Sequence, residues 1–181
     1  MIELTSPKLD HTVELGRRLG RLARAGDVLA LHGELGAGKT QLVRGVAEGM
    51  GLDPAAVSSP TFVIVHEYLP PEASPPKAPE TPSGAAPAND TTALVHIDAY
   101  RLSGPDDLAT IGFDDELRRE SVVAVEWAAR IDELAPGALG EDRLDVHLQH
   151  TANDTRAITL TPRGRWAGLR GELQNLSMTA P

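Results

Sequence analysis

Residues 33 to 40 read Gly33-Glu34-Leu35-Gly36-Ala37-Gly38-Lys39-Thr40, and this stretch satisfies G-x-x-x-x-G-K-[ST]. The apolar run VLALH at 28 to 32 predicts a strand feeding directly into Gly33, and QLVRGVAEGM from 41 has helical spacing. Strand, glycine loop and helix in that order predict a P-loop. Glycines let the backbone curl so that successive N–H groups face inward, making a concave anion site that a Cβ would crowd. The helix that opens there adds roughly half a positive charge at its N-terminus. In such a loop Lys39 reaches the β and γ phosphates and the Thr40 hydroxyl ligates Mg²⁺. The expected phosphate cradle is Gly33, Glu34, Leu35, Gly36, Ala37, Gly38, Lys39, Thr40 and Gln41. Only Lys8, Lys39 and Lys77 are lysines, against fourteen arginines, so a lysine in this loop is less expected by accident.

Outward from the loop, Phe62 to Val65, Ala93 to Ile97 and Val122 to Val125 are nearly unbroken apolar runs, as in a parallel sheet covered on both faces. Between the last two, DDLATIGFDDELRR (106 to 119) reads as helical pieces interrupted at Gly112, and Trp127 to Leu134 as a further short helix. Ile2 and Leu4 alternate with polar residues as in an opening strand. Ser6-Pro7 or Asp10 would then cap a helix reaching Ala25 and ended by Gly26. On that helix Leu15, Leu19 and Leu22 share one face and Arg17, Arg21 and Arg24 another, which serves as a solvated face or a partner contact. Arg143 to Leu148 and Arg156 to Leu160 alternate around Ala152-Asn153-Asp154, predicting a hairpin. The expected class is α/β: a three-layer P-loop NTPase fold with a mostly parallel central sheet and an antiparallel C-terminal hairpin, in one domain over 1–181. Residues 70 to 90 hold seven of the fourteen prolines and no Val, Ile, Leu or aromatic residue, and read as a flexible Pro/Ala-rich insertion. Each doubling of such a loop costs only about 0.6 kcal/mol in closure entropy.

Bulk composition narrows the classes. With 181 residues, 41% of them hydrophobic, the chain suffices for one core, and its lack of cysteine closes disulfide and thiolate-metal readings. The net charge of −9 repels a phosphodiester backbone, so autonomous nucleic-acid binding is disfavoured. No apolar stretch approaches the roughly 20 residues that cross a bilayer, and MIELTSPKLD lacks a basic segment followed by a hydrophobic one. A soluble, cytoplasmic protein without membrane contact is expected.

Two carboxylates stand just beyond apolar strands, Asp98 after LVHI and Glu126 after VVAV. In a parallel sheet the carboxyl ends of the strands rim the ligand crevice, so both should face the P-loop edge. With Lys39 they form the expected catalytic set. Asp98 either orients the attacking water or binds metal through water. Glu126 is the better candidate, beside Thr40, for the magnesium shell, and sequence alone does not separate the two roles. A carboxylate ending a strand also caps a following helix. Thr61, in Ser59-Pro60-Thr61-Phe62, is placed to sense the γ phosphate, or else merely follows a proline turn. Arg101 either stabilises charge on the transferred phosphoryl group or pairs with Asp106 or Asp107. Trp127 lies near the nucleotide or in the core. The six histidines are scattered and none is assigned a metal.

Taken together, GELGAGKT (33–40), SPTF (59–62), HIDAYR (96–101) and VEW (125–127) resemble the TsaE (YjeE) family of bacterial ATPases, over about residues 3 to 165 without the insertion. The resemblance implies Mg²⁺-dependent ATP hydrolysis supporting synthesis of N6-threonylcarbamoyladenosine on adenosine 37 of tRNAs that read ANN codons. It implies docking on TsaD and TsaB type partners, of which TsaD transfers the threonylcarbamoyl group while the ATPase helps reset the complex. It carries over Lys39, Thr40, Thr61, Asp98 and Glu126 as nucleotide and magnesium residues with Trp127 beside them, and tRNA reached only through the partners. Family members usually lack an insertion like 70 to 90, and many carry an acidic residue shortly after the E-W pair, where Ala128 and Ala129 stand here.

Two rival functions use the same loop. A small-molecule kinase needs an arginine lid, for which Arg118-Arg119 would have to serve, although DDELRR reads as a surface helix. A nucleotide-dependent assembly subunit would bind ATP to order a docking face, with incidental hydrolysis. The N-K-x-D guanine reader requires a lysine and none follows Lys77, so ATP is favoured by elimination.

Overall fold

A computed structural model describes residues 1–59, 65–70, 92–113, 115–152 and 154–176. Seven strands form one sheet in the order β1-β7-β6-β2-β5-β4-β3, with β1 Ile2–Ser6, β2 Val28–His32, β3 Val65–Tyr68, β4 Ala93–Asp98, β5 Ser121–Glu126, β6 Arg143–Ala152 and β7 Thr155–Pro162. The inner strands β6, β2, β5 and β4 run parallel, and β3, β7 and β1 join antiparallel at the two edges. The expected mostly parallel centre and C-terminal hairpin are both present, and the opening strand closes the far edge by pairing with β7.

Period-2 alternation sends successive residues of the buried strands to opposite faces, and two cores result. Leu29, Leu31, Val122 and Ala124 face one core, and Val28, Ala30, Val123 and Val125 face the other. The first is covered by α1 (Leu9–Leu22), α2 (Lys39–Gly49) and the C-terminal helices α6 (Arg165–Gly168) and α7 (Arg170–Gln174). The second lies under α3 (Pro105–Thr110), α4 (Asp115–Glu120) and α5 (Ala129–Leu134). Among the described residues no helix is long and apolar enough to cross a membrane.

The α1–α2 contact fixes the P-loop helix, and it is made of glycines. A Cβ on Gly16 or Gly20 would run into the Leu42 or Val46 carbonyl, and one on Gly45 or Gly49 into the Val13 or Arg17 carbonyl. Two glycines four apart on each helix therefore let the backbones touch, so α2 is held at a fixed depth beneath the site. Arg17 spans the pair, bonding Glu14 within α1 and Glu48 on α2 at 2.8 Å. That part of the arginine stripe is an interhelical clamp, while Arg21 and Arg24 are exposed.

Several boundaries depart from the sequence reading. Helix α1 ends at Leu22 rather than Ala25, because Ala23 is extended and the Asp27 carboxylate accepts from the Arg24 N–H at 2.7 Å, closing a turn before Gly26. Its N-cap is Lys8 without a side-chain bond. Ser6 instead donates to the Lys8 carbonyl at 2.9 Å and shares a hydrogen with Thr12. Helix α5 starts at Ala129 because Trp127 has φ 59, outside the right-handed helical region. Helices α6 and α7 were not anticipated; they deliver Trp166 and Leu173 into the first core, joined by Leu176 just beyond α7. Of the strand expected at 62 to 65, Val65 opens β3, and the remainder lies outside the described residues, as does the segment 71 to 90 of the insertion.

Candidate functional site

The loop between β2 and α2 encloses one side of a cleft of about 570 Å³, whose other walls carry Asp98, Glu126 and Trp127. Gly38 sits at φ 107 as N-cap of α2, a left-handed conformation that lets the chain turn from the loop into the helix. Lys39 is almost wholly buried. Its ammonium donates to the carbonyls of Gly33 at 2.8 Å and Glu34 at 2.9 Å and lies 4.1 Å from the centre of the Trp127 ring. Leu35 projects into solvent at the mouth, Gly36 and Gln41 line the cleft, and the Ala37 carbonyl accepts from Arg156 Nε at 3.0 Å.

Asp98 and Glu126 are register partners at the carboxyl ends of adjacent parallel strands. Their surroundings differ. Burial pushes the Asp98 carboxyl up, the Tyr100 N–H opposes this and the neighbouring Glu126 charge adds to it. Burial pushes Glu126 upward too, but hydrogen bonds from His96 and Thr40 outweigh it and hold the group below the usual carboxylate range. Two adjacent acids are thus driven apart, the arrangement that separates a proton-accepting carboxylate from one that stays ionised. Burial lowers the Lys39 amine, against the opposing attraction of Glu126 and Asp98. Asp98 also accepts from the Tyr100 N–H at 3.0 Å, so it caps the 3₁₀ turn at Ala99–Arg101 as well as facing the cleft.

Thr40 and Glu126 meet directly, the hydroxyl donating to Glu126 Oε1 at 2.6 Å. The same oxygen lies 3.0 Å from His96 Nε2, and His96 is completely buried with no hydrogen-bond partner at Nδ1 among the described residues. His96 was missed as a site residue because a histidine within an apolar run reads as core. Its signal was the two-residue offset from Asp98, which places both on β4 one strand from Glu126.

Trp127 packs against the second core and also faces Lys39, with the Tyr100 ring 5.0 Å away. Its left-handed φ is strained for a bulky side chain, a cost borne where the ring roofs the ammonium. Arg101 and Ser59 line the cleft. Asp107 accepts from the Ser103 N–H and hydroxyl and from the Gly104 N–H at the start of α3. Arg119 is exposed on α4 and does not reach the cleft. Thr61 lies outside the described residues.

A strand–loop–helix at the centre of a parallel sheet, with a lysine, a threonine and two strand-end acids on one cleft, defines the class of P-loop nucleotide-binding proteins. The family model of the threonylcarbamoyl adenosine biosynthesis protein TsaE matches residues 6–158. The chain is 44% identical to the Streptomyces coelicolor tRNA threonylcarbamoyladenosine biosynthesis protein TsaE, covering 85% of this chain and 93% of that protein. It is 34% identical to the Bacillus subtilis protein of the same name, with 86% and 82% covered. The Mycobacterium tuberculosis protein of that name is 36% identical, with 86% and 83% covered. The crystal structure of Bacillus subtilis YdiB superposes with a TM-score of 0.65 at 28% identity, over 96% of this chain and 94% of that one. The chain belongs to the TsaE family.

Proposed function

We propose that this chain is a magnesium-dependent ATPase whose turnover supports N6-threonylcarbamoyladenosine formation at adenosine 37 of tRNA, acting in the cytoplasm on a complex of TsaD and TsaB type partners. The observation that carries the reading is the pair of neighbouring acids held in opposite electrostatic states beside a P-loop lysine. The loop amides and the α2 N-terminus cradle the phosphates, and Lys39 exchanges the Gly33 and Glu34 carbonyls for the β and γ oxygens. Asp98, the more basic acid, orients the attacking water and accepts its proton. The water oxygen bonds to the γ phosphorus as the bond to the β-bridging oxygen breaks, giving ADP and inorganic phosphate.

The Thr40 hydroxyl and Glu126 carboxylate supply hard oxygen donors already adjacent to each other, which fits Mg²⁺. Among the described residues no three His, Cys or acidic side chains form a metal site of their own. This suits an ion that relies on substrate phosphates and water for its remaining ligands. When bound, Mg²⁺ neutralises charge on the β and γ oxygens. The net charge of −9 supports contact with tRNA through the partners rather than directly.

The test is phosphate release from ATP by the purified chain with Mg²⁺ and both partners, alongside the modified-nucleoside content of tRNA in cells whose own copy is replaced by Lys39→Ala or Glu126→Ala. Both variants should lose turnover and leave tRNA unmodified. Full modification with Lys39→Ala would overturn the reading.

A further inference from the structure

Arg44 lies one turn beyond Thr40 on the P-loop helix, so the two share a face of α2. Its Nη1 donates to the Gln41 side-chain carbonyl at 2.9 Å and its Nη2 to the Val57 carbonyl at 3.0 Å, while Nε is buried without a hydrogen-bond partner among the described residues. No acidic side chain pairs with it among those residues. Arg17, on the neighbouring helix, is the contrasting case, bonded to the carboxylates of Glu14 and Glu48. The two acceptors of Arg44 lead to different parts of the nucleotide cleft. Gln41 lines it from α2, and Val57 stands two residues before Ser59, which lines it from the segment that follows the 3₁₀ turn at Pro54–Ala56.

Residues 57 to 59 belong to no strand, so their backbone groups find partners outside a ladder. Val57 is extended, with φ −73 and ψ 115, and its side chain is buried in the first core. Arg44 satisfies the Val57 carbonyl, and the Tyr68 hydroxyl on β3 accepts from the Ser58 N–H beside it. A shift at the Val57 carbonyl is therefore carried along the chain to Ser59. We infer that Arg44 is a positioning residue for ATP hydrolysis, fixing the spacing between Gln41 and Ser59 by holding the Gln41 side chain and the Val57 carbonyl at once. This rests on the ATPase reading above and adds no contact with the nucleotide. The planar fork of a guanidinium suits the task, since it presents separate donors to two acceptors on different segments, whereas an ammonium is a point charge.

The test compares Arg44→Gln and Arg44→Lys with wild type by titration calorimetry with ATP, phosphate release at saturating ATP with Mg²⁺ and both partners, amide hydrogen exchange, and a melting curve. Misplacement by about 1 Å near reacting groups costs on the order of a hundredfold, so Arg44→Gln should release phosphate roughly tenfold to a hundredfold more slowly. Its ATP affinity should stay near wild type. Exchange at the Ser58 N–H should quicken while that of Val46, inside α2, stays slow. Arg44→Lys keeps the charge but loses the fork, and its rate should fall between the other two. An unchanged rate in a folded Arg44→Gln overturns the inference in favour of a brace that serves stability alone. A fall in ATP affinity matching the fall in rate overturns it in favour of direct contact with the nucleotide. A slower rate with Ser58 exchange unchanged overturns it in favour of a route other than Val57. If Arg44→Gln does not fold, Arg44→Lys decides, and a wild-type rate there overturns the inference. If wild type with Mg²⁺ and both partners releases no phosphate, the ATPase reading fails and the inference falls with it.

Discussion

The hydroxyl of Thr40, on the first turn of α2, and the carboxylate of Glu126, at the end of β5, are joined by a 2.6 Å hydrogen bond across 86 residues of chain. His96 approaches the same carboxylate oxygen from β4. An ionised Glu126 makes Nε2 the donating nitrogen, so His96 fixes the carboxylate facing Thr40.

With Thr40 and Glu126 as the proposed magnesium ligands, removing that support should loosen magnesium binding without touching the nucleotide. Positioning contacts of this kind typically contribute 10–100-fold in metal affinity. His96→Leu is expected to raise the Mg²⁺ concentration for half-maximal phosphate release about tenfold or more, while ATP binding measured without metal stays near wild type. An unchanged magnesium dependence in a folded variant would exclude the role.

Trp127 should report on the nucleotide site directly. Its ring roofs the Lys39 ammonium, whereas Trp166, the other tryptophan, is fully buried in the opposite core. The proposed move of Lys39 to phosphate would take the cation off the ring face and should change the emission of Trp127. ATP titration should therefore shift the fluorescence of wild type and Trp166→Phe, but not of Trp127→Phe. A retained signal in Trp127→Phe would place the reporting contact elsewhere.

What the sequence disclosed and what it hid follow from how local each interaction is. The P-loop was legible because its chemistry lies within eight consecutive residues, and the sheet because buried parallel strands are written as unbroken apolar runs. The placement of Asp98 and Glu126 on the cleft followed from position alone, by the rule that strand ends rim the crevice. Their different electrostatic states were not, since these depend on His96 and Thr40 reaching Glu126 across the sheet. Arg156 was hidden for the same reason: its contact with Ala37 spans 119 residues. The α1–α2 glycines were illegible because a helical glycine is a weak former in sequence and acquires meaning only when a second helix backbone lies against it.

That glycine contact gives a stability prediction. A methyl group on Gly45 would strike the Val13 carbonyl, while one on Gly168 would meet nothing within 4 Å. Overpacking of a rigid backbone contact costs about 1–3 kcal/mol, which lowers the midpoint by several degrees in a domain of this size. Gly45→Ala should melt lower than wild type, and Gly168→Ala should match or exceed it. Equal midpoints for the two variants would show that the helices separate freely.

The stability of the fold should also depend on pH through Asp145. This buried carboxylate, on β6 directly across from β2, accepts from His32 Nε2 at 3.2 Å and Arg163 Nε at 2.7 Å and lies 3.1 Å from Arg143 Nε. Burial alone would push it up, but His32, Arg163 and Arg143 together bring it down to about 2, from an ordinary value of 3.8. A native value below the unfolded one means that the unfolded chain binds the proton more readily. The stabilisation is therefore fully present above the unfolded value and is lost as pH falls through 3.8 toward 2. It amounts to about 2 kcal/mol. Denaturant unfolding at pH 7 should show Asp145→Asn less stable than wild type by about that amount or more, since three cationic or donor groups lose the negative charge and one of its two acceptor oxygens. Between pH 5 and pH 3 the wild-type curve should fall more steeply than that of Asp145→Asn. Parallel curves across that window would mean that Asp145 titrates no differently in the folded chain than in the unfolded one.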